Sequence, residues 1–384
     1  MSDSTEVTPT LAQIIEGHRA VVCVGTGGVG KTTTAAALGL AGAMAGRKTM
    51  VITIDPARQL ARALGLASLK RGGEAVPRHA VEEAGLELKA ELHAGMLDQK
   101  GAWDAFISRH AKSPEIRDRL LENPFYQQLS TSCAGSTEYM AVEELCHIDE
   151  SGEYDLIIVD TPPAGHAVDF LRAPERIEKL LDPEVAKWLQ VPLRALSAST
   201  TSIGSVTVNF VIKQLERTMG AKTIREVSAF FLALDAIFGN LAERAQRARA
   251  LLMGPKTAFV LVASPRARVL ADGSHLADTM RSLGVPLKGA IINRVHPLPE
   301  SSDGAEAIEA AMQAGHADAP TRKWFADTAA EAHRVASEEA VRLKAFSRSL
   351  PKGTAWAEVP ELDHDAHSLK DLADVARMLK ATPQ

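Results

Sequence analysis

The chain has 384 residues, 46% of them hydrophobic and 24% charged, with a formal net charge of -5. That length suits one large α/β domain carrying an insertion or two separate cores, the charge leaves no electrostatic footprint for nucleic acid, and no apolar run approaches the roughly 18 residues that span a bilayer. The amino-terminal residues show neither the basic start nor the apolar core of a secretory signal, so the expected address is cytoplasmic, peripheral at the membrane at most.

In chain order, an apolar, β-branched run at Val21 to Gly25 opens the pattern, followed by a helix-forming stretch at Lys31 to Ala45 and a second strand at Thr49 to Asp55. The polar stretch from about Lys70 to Leu88 reads as an elaborated connection. Helical periodicity marks Ile116 to Leu121 and Ser136 to Cys146, and a third strand covers Leu156 to Asp160. From about Phe170 to Met253 strand signals stop and helical periodicity takes over. The expected division is therefore a first core part at 1–169, an α-helical insertion at 170–253 and a second core part at 254–384. Strands return at Thr257 to Ala263, Lys288 to Asn293 and Ala355 to Pro360, with helices at Ser274 to Leu283, Ala326 to Leu350 and Ser368 to Lys380. Such alternation predicts an α/β fold, a doubly wound and mainly parallel sheet covered by helices.

Gly25-Thr26-Gly27-Gly28-Val29-Gly30-Lys31-Thr32 satisfies G-x-x-x-x-G-K-[ST], directly after a strand and before a helix. Glycines let the backbone close around phosphate oxygens, while successive N–H groups and the helix amino end stabilise negative charge. The expected phosphate-binding set is Gly27, Gly28, Val29, Gly30, Lys31, Thr32 and Thr33, with Lys31 reaching the β- and γ-phosphates and the Thr32 hydroxyl placed for Mg²⁺. Asp55 and Asp160 each follow an apolar strand, where parallel strands gather their carboxyl ends around ligands. Thr32, Asp55 and Asp160 are the candidate metal set. Since γ-phosphate hydrolysis needs an in-line water, Asp55 is assigned to polarising it, alongside Lys31 as the second catalytic candidate.

These residues together resemble the P-loop ATPases that include the arsenical-pump ATPase and the ATPase that guides tail-anchored membrane proteins. The shared marks are the phosphate loop, a first switch at Asp55-Pro56-Ala57, a second at Asp160-Thr161-Pro162-Pro163-Ala164-Gly165-His166, Gly135-Ser136-Thr137-Glu138, and Asn293 with Val359-Pro360-Glu361-Leu362. The resemblance implies ATP and Mg²⁺ as cofactors, and Asn293 as the reader of adenine with Pro360 and Leu362 closing over the base. It also implies two subunits meeting over their nucleotides, as a homodimer or with a related ATPase. Independently, Asn293-Arg294-Val295-His296 places no carboxylate where guanine's amino group would need one, which favours adenine. The chain departs from the family where a signature lysine usually precedes the two glycines; here that residue is Thr26. Cys23, Cys133 and Cys146 form no C-x-x-C pair and are spaced too widely to converge on zinc or a metalloid.

Phe230, Phe231, Leu234, Ile237, Phe238 and Leu241 recur at helical spacing, either as the insertion's own core or as a groove for a client's apolar helix. The expected function is a Mg-dependent ATPase switch whose hydrolysis of ATP rearranges the helical subdomain to handle a protein client, in particular a membrane protein. Two alternatives stay open: an energising subunit docked to a permease, and a nucleotide-binding regulatory protein with little turnover.

Overall fold

The computed structural model of the chain describes residues 9–54, 58–132, 136–162, 164–180, 220, 226, 230, 241–298, 310, 312, 314–315 and 318–380. Helix α1 (Leu11–Gly17) begins at a capping box in which the Thr10 hydroxyl accepts from the Gln13 backbone and the Gln13 side chain answers, so both ends of the first turn are satisfied locally. There follow β1 (Ala20–Gly25), α2 (Lys31–Met44), β2 (Thr49–Thr53), α3 (Arg58–Ala63), β3 (Glu74–Ala75), α4 (Arg78–Glu83) and β4 (Leu92–Met96). Next come α5 (Gln99–His110), α6 (Pro114–Leu121), α7 (Pro124–Ser132), α8 (Ser136–Ser151), β5 (Leu156–Asp160) and α9 (Ala164–Leu180). A helix at 241–253, α10, leads back to the sheet. The chain then forms β6 (Thr257–Ala263), α11 (Ala267–Ser282), β7 (Leu287–Val295), α12 (Ala319–Ser349), β8 (Ala355–Pro360) and α13 (Leu369–Lys380).

The strands form one eight-stranded sheet in the order β3-β4-β2-β5-β1-β6-β7-β8. Every pair is parallel except β3 with β4. Alternation along β1 sorts side chains to two cores. Ala20, Val22 and Val24 pack with residues of α8 and α9, while Val21 and Cys23 pack with residues of α2 and α13. Both faces are thus covered, as a parallel sheet requires. Since β1 runs out to β2 on one side, and β5 leads to β6 on the other, the carboxyl end of β1 lies at the topological switch point.

The stretch from Lys70 to Leu88, read from sequence as a connection, contains the short antiparallel edge strand β3 and helix α4. Strand β4, with the sequence LHAGM, carried no β-branched signal, yet it pairs along its length with β2. The second strand ends at Thr53, not at Asp55. Of the apolar stripe read from sequence, Phe230 and Leu241 are buried, with Phe230 edge-on to Phe125 and stacked against Tyr126; Phe231, Leu234, Ile237 and Phe238 lie outside the described residues.

Helix α10 is tied to α8 by charge. The Arg244 guanidinium donates to both oxygens of Glu143, at 3.1 and 2.9 Å, and reaches Glu150 as well. Glu143 is 1% exposed and Arg244 8%, and burial pushes the Glu143 carboxyl up against the pull of Arg244. Removing one member of such a pair strands a charge in the interior. Arg244→Ala should therefore lower the unfolding free energy by about 3–5 kcal/mol, whereas Arg244→Met combined with Glu143→Leu should recover most of that loss, as read by urea denaturation of the four proteins in a double-mutant cycle.

Candidate functional site

The loop between β1 and α2 is shaped by two glycines that no other residue replaces. At Gly25 a Cβ would meet the Val262 carbonyl oxygen of β6 at 2.1 Å, because β1 and β6 pair there in register. At Gly30 the backbone takes φ +87°, and a Cβ would meet the Asn293 amide nitrogen at 2.3 Å. Gly30 is also the N-cap of α2, with no side-chain cap and no acidic residue in the first turn. The amino end of α2 therefore keeps its N–H groups and partial positive charge for an anion. Lys31, 7% exposed, folds back over the loop and donates to the Thr26 carbonyl at 2.8 Å.

Beneath the loop, sheet register sets one carboxylate. Cys23 of β1, Asp160 of β5 and Thr53 of β2 stand in one row. The Asp160 Oδ2 accepts from the Thr32 hydroxyl at 2.6 Å and from the Thr53 hydroxyl at 3.0 Å, with Asp160 only 3% exposed. Neighbouring Thr161 donates through its hydroxyl to the Cys23 carbonyl at 2.7 Å, pinning the segment after β5 to β1. Burial, and then the Asp160 charge, push the Cys23 thiol far up, with Lys31 pulling the other way. Burial likewise pushes the Cys146 thiol up to about 12. The two cysteines sit in opposite cores of the sheet, so neither offers a thiolate to a common ligand.

Two cavities meet over this loop. One, of about 340 Å³, is lined by Gly27, Gly28, Gly30, Lys31, Thr32, Thr33 and Asp160. The other, of about 420 Å³, is lined by Asn293, Pro360 and Leu362. Gly30 and Thr33 line both, and the Asn293 Nδ2 donates to the Val29 carbonyl at 2.9 Å. The structure thus gathers the candidate residues read from sequence around one site, apart from Asp55 and the His166 side chain, which lie outside the described residues. Sequence reasoning missed Thr53, whose role appears only when β2 and β5 are placed in register, and Asp365, which lines both cavities beside Arg294.

A phosphate-type loop at the switch point of a doubly wound parallel sheet, with a buried aspartate ending the neighbouring strand, defines the P-loop α/β class. Residues 18–349 match the anion-transporting ATPase family. The chain belongs to that family and is an ATPase. It is similar to ATPase GET3B of Arabidopsis thaliana, 26% identical over 315 residues that cover 79% of this chain and 71% of that protein. To ATPase GET3 of Chaetomium globosum it is 28% identical over 311 residues, covering 78% and 81%. With ATPase GET3 of Malassezia globosa it shares 32% identity over 175 residues, 45% of this chain and 48% of that one. Among the described residues no helix is long and apolar enough to cross a membrane.

Gly30→Ala should cost about 2–3 kcal/mol of stability, from the left-handed backbone and from the Asn293 bond that must give way. Gly17→Ala, where a Cβ meets nothing within 4 Å, should be neutral or stabilising in the same urea titration.

Proposed function

We propose that this ATPase binds Mg-ATP across the two joined cavities and works as a switch, its nucleotide state read out by the helical insertion. The observation that carries the reading is the Thr32 hydroxyl and the Asp160 carboxylate held 2.6 Å apart beneath the glycine-rich loop at the amino end of α2. Among the described residues no group of three or more His, Cys, Asp or Glu side chains converges on a point. That spare, all-oxygen donor set suits magnesium, which keeps most of its water and takes one or two protein ligands beside phosphate oxygens. When bound, the ion would offset charge on the β- and γ-phosphate oxygens. Lys31 moves from the Thr26 carbonyl toward the same oxygens. Thr53, by donating to Asp160, holds that carboxylate in place. Asp55 orients the attacking water.

At the other end, the Asn293 amide uses one N–H on the Val29 carbonyl, which fixes the amide so that its oxygen remains as an acceptor. An acceptor suits the exocyclic amine of adenine and disfavours the carbonyl of guanine, while Pro360 and Leu362 supply an apolar wall. The switch has a mechanical outlet. Helix α9 starts at Ala164, just past Asp160, and runs to Leu180 within the expected insertion, with Pro174 inside it, so ordering of the segment after β5 around a nucleotide would be passed along this helix. Asp55 and Asp160 would change partners on hydrolysis, and the insertion would follow.

The resemblance read from the sequence and the helical stretch expected at 170–253 support a protein client over a small ligand, with a membrane protein as the cargo and a dimer closed over its nucleotides as the working form, in the cytoplasm. Docking to a permease is the second reading. It follows from the family's description as anion-transporting, although the two described cysteines do not converge to sense a metalloid.

Asp55→Asn should retain ATP binding and lose turnover by at least about 100-fold, the scale of a missing general base. Unchanged turnover would remove Asp55 from that role. Used as a nucleotide-locked bait in native lysate, the same variant should recover membrane proteins carrying one terminal hydrophobic helix; recovery of a single polytopic permease would favour the second reading instead.

A further inference from the structure

Arg294 stands out by its backbone and by its position. It is the one described residue other than glycine with positive φ, at 63°, a conformation that costs a bulky side chain roughly 1–3 kcal/mol unless its surroundings impose it. It occupies a bulge, because β7 pairs with β8 as Asn293 to Val359 and then Val295 to Pro360, leaving Arg294 as the extra residue. Its side chain lines both cavities, together with Gly30, Thr33, Asp365 and Ala366, and its guanidinium lies 3.7 Å from the Asp365 carboxylate in the segment after β8.

Those positions locate what Arg294 reads. Resting on the ATP reading above, Lys31 and Thr32 serve the terminal phosphates and the metal, whereas Asn293 and Pro360 serve the base. Residues shared by the two cavities then border the middle of the nucleotide, the ribose and the phosphate attached to it. We propose that Arg294 is a specificity-determining contact to that first phosphate, extruded from β7 by the bulge and steered by Asp365. An exposed ion pair at 3.7 Å returns less than about 1 kcal/mol, too little to offset a left-handed arginine, and the Asp365 partner is 73% exposed. A charge-assisted bond to a phosphate oxygen is worth more and is available only with nucleotide bound. A phosphate contact would therefore offset the backbone cost more fully than the Asp365 pair does.

Arg294→Gly separates the two contributions, because glycine adopts φ near 63° without strain. Thermal unfolding of the nucleotide-free variant should occur at the same temperature as the unmodified protein or higher. Calorimetric titration with magnesium present should show ATP and ADP both bound about tenfold more weakly, and by equal factors, since the phosphate concerned is common to both. Arg294→Lys, which keeps charge without the planar fork, should fall between. Unaltered affinity in Arg294→Gly would overturn the proposal, as would a loss confined to ATP, which would move the contact to the terminal phosphate. A fall in melting temperature would show that the arginine is structural and would equally overturn it. If the unmodified protein binds neither nucleotide, the ATP reading itself fails and the inference falls with it, an outcome visible before any variant is made.

Discussion

The arrangement on which the site depends is a row of three residues across three strands, with Cys23, Asp160 and Thr53 aligned by the parallel pairing of β1, β5 and β2. Register, not local sequence, puts the Thr53 hydroxyl on the Asp160 carboxylate, and the loop above brings Thr32 to the same oxygen. A buried carboxylate needs compensation, and here two hydroxyls from different elements contribute it. A slip of one residue in either strand pair would turn Asp160 to the opposite face and dissolve the centre.

From that row outward, the molecule is organised as a line. The phosphate loop is held against β6 by the absence of a side chain at Gly25, and against β7 by the Asn293 bond to Val29. The last strand supplies Pro360 and the segment bearing Leu362 and Asp365. A nucleotide laid along this line would touch elements from both ends of the chain, and so would brace the sheet between β5 and β8. On the far side, α9 leaves the site directly, and the Arg244 pair with Glu143 ties α10 to α8.

Much of this was legible in the residues. Five strands rich in Val, Ile and Thr announced themselves, and the glycine spacing from Gly25 to Gly30 marked the tight turn between β1 and α2. What escaped detection did so for physical reasons. Strand β4 holds Ala, Gly and His, and exists because β2 offers it a full ladder. Helix α7, PFYQQLSTS, is short and rich in residues that compete for backbone bonds, so tertiary contacts around Tyr126 must hold it. The pairing of Arg294 with Asp365 rests on a bulge and a left-handed backbone, neither of which has a signature in an ordinary Asn-Arg-Val sequence.

The central claim is that Asp160 and Thr32 form a metal-dependent seat for the terminal phosphates of ATP. It is tested most directly by calorimetric titration of ATP into the protein with and without Mg²⁺, repeated for Asp160→Asn. The account predicts that magnesium tightens binding by at least about tenfold in the unmodified protein, the scale of one charge-assisted contact, and that Asp160→Asn loses this gain. ATP affinity indifferent to magnesium in both proteins would contradict it.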